Sequence, residues 1–181
     1  SGVSAKDAGI YKNKVSGENT ETQNYDINYQ DGEFVIAKKK ITVTANDETR
    51  EYNGALQRIN SFTAEGLVAG ETEDTIRNSI NAVATRQDAG IYTHAVGYAN
   101  TNGNNNYDIS FKSGTYTITK ATATVTGNSL NTVYDGKNQN VSGFNVSGLK
   151  GNDQQTVLGE IFNTAASGRN AGHYENVVGG A

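Results

Sequence analysis

Asn106-Tyr107-Asp108-Ile109-Ser110-Phe111-Lys112-Ser113-Gly114-Thr115-Tyr116-Thr117-Ile118-Thr119-Lys120 is the stretch whose reading decides the fold. Tyr107, Ile109 and Phe111 fall on one side and Asp108 and Ser110 on the other, the period of a strand with one buried face. Beyond Lys112-Ser113-Gly114, Tyr116 and Ile118 alternate with Thr115, Thr117 and Thr119. Read by itself, this is a β-hairpin with its turn at Lys112-Ser113-Gly114. A second version stands upstream, where Tyr25, Ile27 and Tyr29 precede Asp31-Gly32 and then Phe34 and Ile36. Asp-Gly supplies the positive φ angles of a tight hairpin, so the same hairpin is predicted in both places.

The two versions are separated by 106 − 24 = 82 residues, and other pairs keep that distance. Tyr52-Asn53-Gly54 returns as Tyr134-Asp135-Gly136, Gly66-Leu67 as Gly148-Leu149, and Lys38 as Lys120. Ala-Gly-x-Tyr occurs three times, at Ala8 to Tyr11, Ala89 to Tyr92 and Ala171 to Tyr174. A long period with so little drift marks tandem copies of one folding unit. The domain reading is therefore 1–38 as the last part of a preceding repeat, 39–120 as a complete central repeat and 121–181 as the first part of a following one. A unit of this size can bury a modest core unaided. Only Ala37-Lys38-Lys39-Lys40 separates Ile36 from Ile41, and neither glycine nor proline lies between Ile118 and Val125. Without a flexible linker, the expected array is stiff and extended.

Within the unit, Ile41-Thr42-Val43-Thr44 reads as the opening strand, matched by Thr122-Ala123-Thr124-Val125. Phe62 and Leu67, with Phe144 and Leu149, are core anchors, and Tyr92 and Val96 face inward from a later strand. From Glu71 to Ala84, Ile76, Ile80 and Val83 would share a helical face, with Glu73 and Asp74 suited to a first turn. The matching segment carries Gly159 and lacks that period, so the expectation is at most a short helix followed by a strand. The fold class is all-β: tandem elongated β-sandwich-like (Ig-like) units, with a β-grasp-like unit carrying one short helix around 71–81 as the alternative.

Composition narrows the function. Among 181 residues there is no Cys, Trp, Met or Pro, there are 21 Gly, and the net charge is −4. Missing cysteine excludes thiol catalysis, disulfide frameworks and zinc-thiolate sites. Lys38-Lys39-Lys40 is too short a basic run for nucleic-acid binding and reads as a solvated junction. No apolar stretch approaches the ~20 residues that cross a bilayer. Ser1-Gly2-Val3 lacks the apolar region of a signal peptide, and the reading is of a monomeric internal fragment.

The side chains that carry chemistry elsewhere are sparse here. Asn100-Thr101-Asn102-Gly103-Asn104-Asn105-Asn106 sets amide carbonyls around a glycine, as a calcium loop does. It has no carboxylate before Asp108, and Gly17 to Asn24 does not repeat the pattern; a polar connection is the preferred reading. His94 and His173 stand without partners and read as exposed strand histidines. Tyr11, Tyr92 and Tyr174 could stack on sugars, but their recurrence favours a ring packed in the core with its hydroxyl hydrogen-bonded. Val177-Val178-Gly179-Gly180 lacks the Lys and Ser/Thr of a phosphate loop. A Lys–Asn isopeptide link from Lys38 or Lys120 would need a buried lysine, and both sit where exposure is expected. No catalytic, cofactor-binding or metal-binding residue is assigned, no cofactor is expected, and an enzyme is not the reading.

The Tyr-Asn-Gly or Tyr-Asp-Gly turn, the Gly-Leu pair, Ala-Gly-x-Tyr and the closing Asn-Tyr-Asp-Ile … Gly-x-Tyr-x-Ile-x-Lys occur in fixed order. Together they resemble the MBG and YDG repeats of large bacterial adhesins and filamentous-haemagglutinin-type exoproteins, without the proline that often follows the turn in related repeats. The resemblance implies an extracellular, bacterial cell-surface protein whose repeats form a stalk projecting a distal binding region. Its partners would be the neighbouring repeats. The alternative is that repeat faces themselves bind host glycan, matrix or biofilm polysaccharide.

Overall fold

A computed structural model describes residues 2–17, 24–100, 104 and 106–180. In chain order the preceding repeat contributes β1 (Gly9–Asn13) and β2 (Gly32–Ile36). The central repeat holds β3 (Lys39–Ala45), β4 (Glu48–Glu51), β5 (Gln57–Ile59), β6 (Phe62–Glu65), the helix α1 (Glu73–Ile76) and a 3-10 turn at Arg77–Ser79. It continues with β7 (Ile80–Asn81), β8 (Ala84–Arg86), β9 (Gly90–His94), β10 (Gly97–Tyr98), β11 (Tyr107–Lys112) and β12 (Gly114–Thr119). The following repeat supplies β13 (Thr124–Gly127), β14 (Gln139–Val141), β15 (Phe144–Ser147), β16 (Ile161–Thr164), β17 (Ala166–Gly168) and β18 (Val177–Gly180). The fold is all-β with one short α-helix, and that helix falls inside the 71–81 window.

The chain separates into two compact units. The first comprises Ser1–Asp47, Ile59–Ala84 and Thr93–Thr115; the second comprises Glu48–Arg58, Thr85–Tyr92 and Tyr116–Ala181. In the first unit, β3 is the middle strand of a three-stranded sheet between β11 and β6. β11 runs parallel to β3, from Tyr107 opposite Lys39 to Lys112 opposite Thr44, a constant offset of 107 − 39 = 68. Alternation puts Ile41, Val43, Tyr107 and Ile109 on the inner face, where they join Phe62, Ile76, Ile80 and Ala82 in one core. In the second unit, β12 lies between β4 and β9. β12 is parallel to β4, from Tyr116 opposite Glu48 to Thr119 opposite Glu51, again at 116 − 48 = 68. Each of the first two strands of the central repeat thus has one of its last two as a parallel neighbour, β3 beside β11 and β4 beside β12.

The expected hairpin is not there. Only Ser113 separates β11 from β12, and the two strands lie in different sheets. The chain passes straight through this point because Gly114 lies against the backbone of the neighbouring strand: a Cβ on it would stand 2.3 Å from the Ala45 carbonyl oxygen. Thr115 N–H also donates to Asp47 Oδ1 at 2.7 Å, tying the bend sideways instead of back. Upstream, no strand forms over 24–31, and β2 pairs antiparallel with β1 instead. Period two identifies a strand but not its partner, so a hairpin and a pass-through bend look alike in sequence.

The segment from 71 to 84 turns from helix to strand. Ile76 and Ile80 are buried, whereas Val83 is 44 % exposed and Ala82 takes the inward place. In the following repeat the elements recur 82 residues on. β13 pairs β15 with Thr124 opposite Ser147 and Gly127 opposite Phe144, matching Thr42 opposite Glu65 and Ala45 opposite Phe62. β14 pairs β17 as β5 pairs β8. Even the helix has a counterpart, a 3-10 turn at Gln155–Leu158, since 73 + 82 = 155.

Candidate functional site

The repeated motifs resolve into three built features. In the Ala-Gly-x-Tyr marker the tyrosine folds back over its glycine, and its hydroxyl donates to the carbonyl four residues upstream. Tyr11 reaches Asp7 O at 2.8 Å, Tyr92 reaches Asp88 O at 2.9 Å, and Tyr174 reaches Asn170 O at 3.2 Å. The glycine is required because a Cβ at Gly90 would meet the Tyr92 hydroxyl at 2.9 Å. This is the logic of the tyrosine corner, a phenol that pins an approach to a strand. The rings of Tyr11 and Tyr92 are half-buried and that of Tyr174 is exposed, so the hydroxyl bond rather than deep burial is what all three copies share.

The second feature is a buried polar clamp. His94 is not an exposed strand residue but 0 % exposed. Its Nδ1 lies 2.7 Å from Asn46 O and its Nε2 2.5 Å from Ala82 O. Buried backbone carbonyls need donors, and the imidazole stands between two of them, its ring N–H donating to one or the other according to the tautomer. The equivalent position, 94 + 82 = 176, is an asparagine in the following repeat. Asn176 Nδ2 donates to Asn128 O at 2.9 Å and Gly143 O at 3.0 Å. Asn128 is the counterpart of Asn46, so two different side chains hold the same carbonyl. The sequence signal was available: His94 lies midway between Tyr92 and Val96, both read as inward. His173 is exposed in a loop and holds no such place.

The third feature joins the central repeat to the following one. The Tyr52-Asn53-Gly54 turn packs on Lys150 to Asp153. Gly54 has φ +78°, and a Cβ on it would stand 2.8 Å from Lys150 O. Tyr52 Oη donates to Asp153 Oδ2 at 2.9 Å, and Lys150 Nζ lies 2.8 Å from Glu51 Oε1. Accepting this bond, Asp153 raises the Tyr52 pKa above its ordinary 10.0, with partial burial and the nearby Asp88 acting in the same direction. Toward the preceding repeat, Ala8 N–H donates to Asn106 Oδ1 at 2.8 Å, and Asn106 Nδ2 donates to Asp7 Oδ1 at 2.9 Å. None of these pairs was legible in sequence, because their partners lie about 100 residues apart.

The remaining candidates take the following places. Thr101, Asn102, Gly103 and Asn105 of the calcium-like loop lie outside the described residues. Within it, Asn104 Oδ1 accepts the backbone N–H groups of Asn106 and Tyr107 at 2.8 and 3.0 Å. Lys38 and Lys120 are exposed, and Lys38 Nζ donates to Asn104 O at 3.0 Å. Val177-Val178-Gly179-Gly180 is the strand β18, paired with β16. Tyr107 Oη donates to Glu71 Oε2 and accepts from Val68 N–H.

The turn glycines, the tyrosine corner and the closing strand thus belong to one repeat plan, and the family profile of the MBG domain (YGX type) matches residues 41–117. The central repeat is similar to the MBG domain over those residues. The match begins inside β3 and ends inside β12. MBG domains occur in cell-surface proteins. No curated protein and no solved structure matches the chain. No helix of the described residues is long and apolar enough to cross a membrane.

Proposed function

We propose that this chain is a tension-bearing spacer in the stalk of a bacterial surface adhesin, with a mechanical and not a catalytic role. The supporting observation is that the first two strands of the repeat pair in parallel with its last two, β3 with β11 and β4 with β12, at one offset of 68. Chain tension enters at the start of β3 and leaves at the end of β12. In that geometry the two strands are pulled past each other, so the ladder bonds are loaded together in shear instead of unzipping one at a time. Each backbone bond is worth only about 1 kcal/mol net, so simultaneous loading is what makes such a ladder resist force. The glycine-tight turn contact and the Tyr52–Asp153 bond carry load into the next repeat without a free linker.

Single-molecule stretching through the chain termini tests this. The expected result is a distinct high-force event for the central repeat, lowered sharply when the same repeat is pulled from linkages that peel β11 away from β3. Equal forces in the two directions would sink the proposal. In the glycan-binding alternative, sugars would stack on the ring faces of Tyr11, Tyr92 and Tyr174, whose hydroxyls are engaged by backbone carbonyls. Saturable binding to a glycan array, abolished by changing one exposed face, would replace the spacer reading.

A further inference from the structure

Asn-Gly occurs at Asn53-Gly54 and at Asn102-Gly103, and the first pair lies among the described residues. The side-chain amide carbon of an asparagine can close a five-membered ring with the next backbone nitrogen. Where glycine follows, no Cβ shields that nitrogen. The two reacting groups are held together by the chain itself, which removes the entropy cost of bringing them together.

The structure adds four features that favour this reaction at Asn53. The residue is exposed, so water and base reach it. Its Oδ1 accepts the Ala55 N–H at 2.9 Å, the bond of an Asx turn. That donor draws charge from Cγ and stands ready for the oxyanion that forms when Cγ is attacked. Asn53 Nδ2, the leaving nitrogen, has no hydrogen-bond partner among the described residues, and the attacking Gly54 N–H has none either. The following repeat shows that the turn tolerates one product. Asp135 occupies the same place, since 135 − 53 = 82, and its Oδ1 accepts the Lys137 N–H at 2.9 Å. Gly136 there has φ +77°, against +78° at Gly54.

We propose that Asn53 deamidates spontaneously, and that the isoaspartyl product opens the contact between the central repeat and the following one. Base removes the Gly54 amide proton, and the nitrogen bonds to Asn53 Cγ. The Cγ–Nδ2 bond breaks and ammonia leaves, giving a succinimide. Water then opens the ring. Cleavage between Cγ and the Gly54 nitrogen gives aspartate. Cleavage between that nitrogen and the main-chain carbonyl of residue 53 gives isoaspartate, which puts one extra methylene into the main chain. Gly54 has no room for such a shift. The place of its Cβ is 2.8 Å from Lys150 O and 2.9 Å from Gly151 Cα. The displacement also reaches Tyr52, whose hydroxyl is held by Asp153 at 2.9 Å. The junction thus carries a covalent timer with two outcomes, one silent and one disruptive. The inference does not depend on the tension-bearing reading.

The test is ageing of the full 181-residue chain in mildly alkaline buffer, with Asn102→Gln as background so that the charge change is confined to residue 53. Peptide mapping by mass spectrometry should show residue 53 converting from amide to acid, as a mixture of aspartate and isoaspartate. The rate should be no slower than in the free peptide Glu-Tyr-Asn-Gly-Ala-Leu, the sequence of residues 51–56. The isoaspartyl fraction, isolated by ion exchange, should unfold at a midpoint lower by about 4 °C. Asn53→Asp reproduces the other product and should keep the midpoint of the fresh chain. Asn53→Gln, which needs a six-membered ring to react, should remain an amide throughout. Conversion slower than in the peptide overturns the proposal. So does an isoaspartyl fraction as stable as the fresh chain, or an Asn53→Asp chain that loses as much as that fraction.

Discussion

In the central repeat Val43, Ile76, Tyr116 and Ile118 are at most 2 % exposed, while Val125 and Leu158, which take the places of Val43 and Ile76 in the following repeat, are only half-buried. The strand pairs β3–β6 and β5–β8 nonetheless recur as β13–β15 and β14–β17. The difference is the stretch 107–119, which contributes buried Tyr107, Ile109, Tyr116 and Ile118 to the central repeat. Fully burying an apolar side chain stabilises by ~1.5–3 kcal/mol, so four of them approach the ~5–15 kcal/mol that separates folded from unfolded domains. Local pairing is therefore written into each segment, whereas a dry interior needs the closing strands.

The sharpest way to break this contrast is at Gly114. A side chain there must displace the Ala45 backbone, so Gly114→Val should destabilise the central repeat by about 3 kcal/mol or prevent β12 from docking. The matching glycine of the preceding repeat, Gly32, has nothing nearer than Asn13 Cβ at 4.0 Å. Gly32→Val should change urea unfolding by no more than ~0.5 kcal/mol. Similar losses at both sites would mean that the close approach to Ala45 is not what fixes the pass-through bend.

The same contrast explains what could be read beforehand. Ile41, Val43, Tyr107, Ile109, Tyr116 and Ile118 announced themselves as strand faces because alternation is a local property of the chain. That β11 pairs with β3, 68 residues away, and not with its neighbour β12 is settled by the Gly114–Ala45 approach, which leaves no local trace. Comparing copies helped where a position kept its residue, as at Tyr11, Tyr92 and Tyr174. It misled where the residue changed but the job did not. His94 and Asn176 look unrelated in sequence because the requirement is a buried donor for one carbonyl, and two chemistries meet it. The helical turn behaves in a similar way: Gly159 breaks the period, yet Gln155–Leu158 still forms a 3-10 turn.

His94 gives the next largest effect. His94→Leu removes the ring N–H placed between the Asn46 and Ala82 carbonyls in a buried place, at a cost of about 2 kcal/mol. His94→Asn imports the solution used at residue 176 and should recover at least half of that loss in thermal unfolding. If leucine and asparagine are equally damaging, the two repeats do not share one clamp.

Alkaline titration separates the repeats by a smaller margin. Burial raises the Tyr107 pKa above 10.0, its bond to Glu71 adds to the shift, and donation from Val68 N–H opposes it. A raised folded pKa favours the neutral phenol in the folded state. The stabilisation is therefore complete below the unfolded pKa near 10 and is lost as pH rises through the folded value. Tyr107→Phe should cost about 1 kcal/mol at neutral pH and flatten the decline of central-repeat stability above pH 10. A decline just as steep in the variant would assign the alkaline loss to other groups.

Tyr116 should give the smallest change, with the opposite sign. Its ring is fully buried at the centre of the β4-β12-β9 sheet, and its hydroxyl has no hydrogen-bond partner among the described residues. A buried hydroxyl without a partner loses its hydration and recovers nothing, so removing it should help while the ring keeps its packing. Tyr116→Phe is expected to leave the unfolding midpoint unchanged or to raise stability by up to about 1 kcal/mol. The preceding repeat already carries Phe34 at this position, as expected if the ring and not the hydroxyl is what the slot selects. A loss above ~1 kcal/mol on Tyr116→Phe would show that the hydroxyl holds a partner such as an ordered water, and the slot would then discriminate tyrosine from phenylalanine.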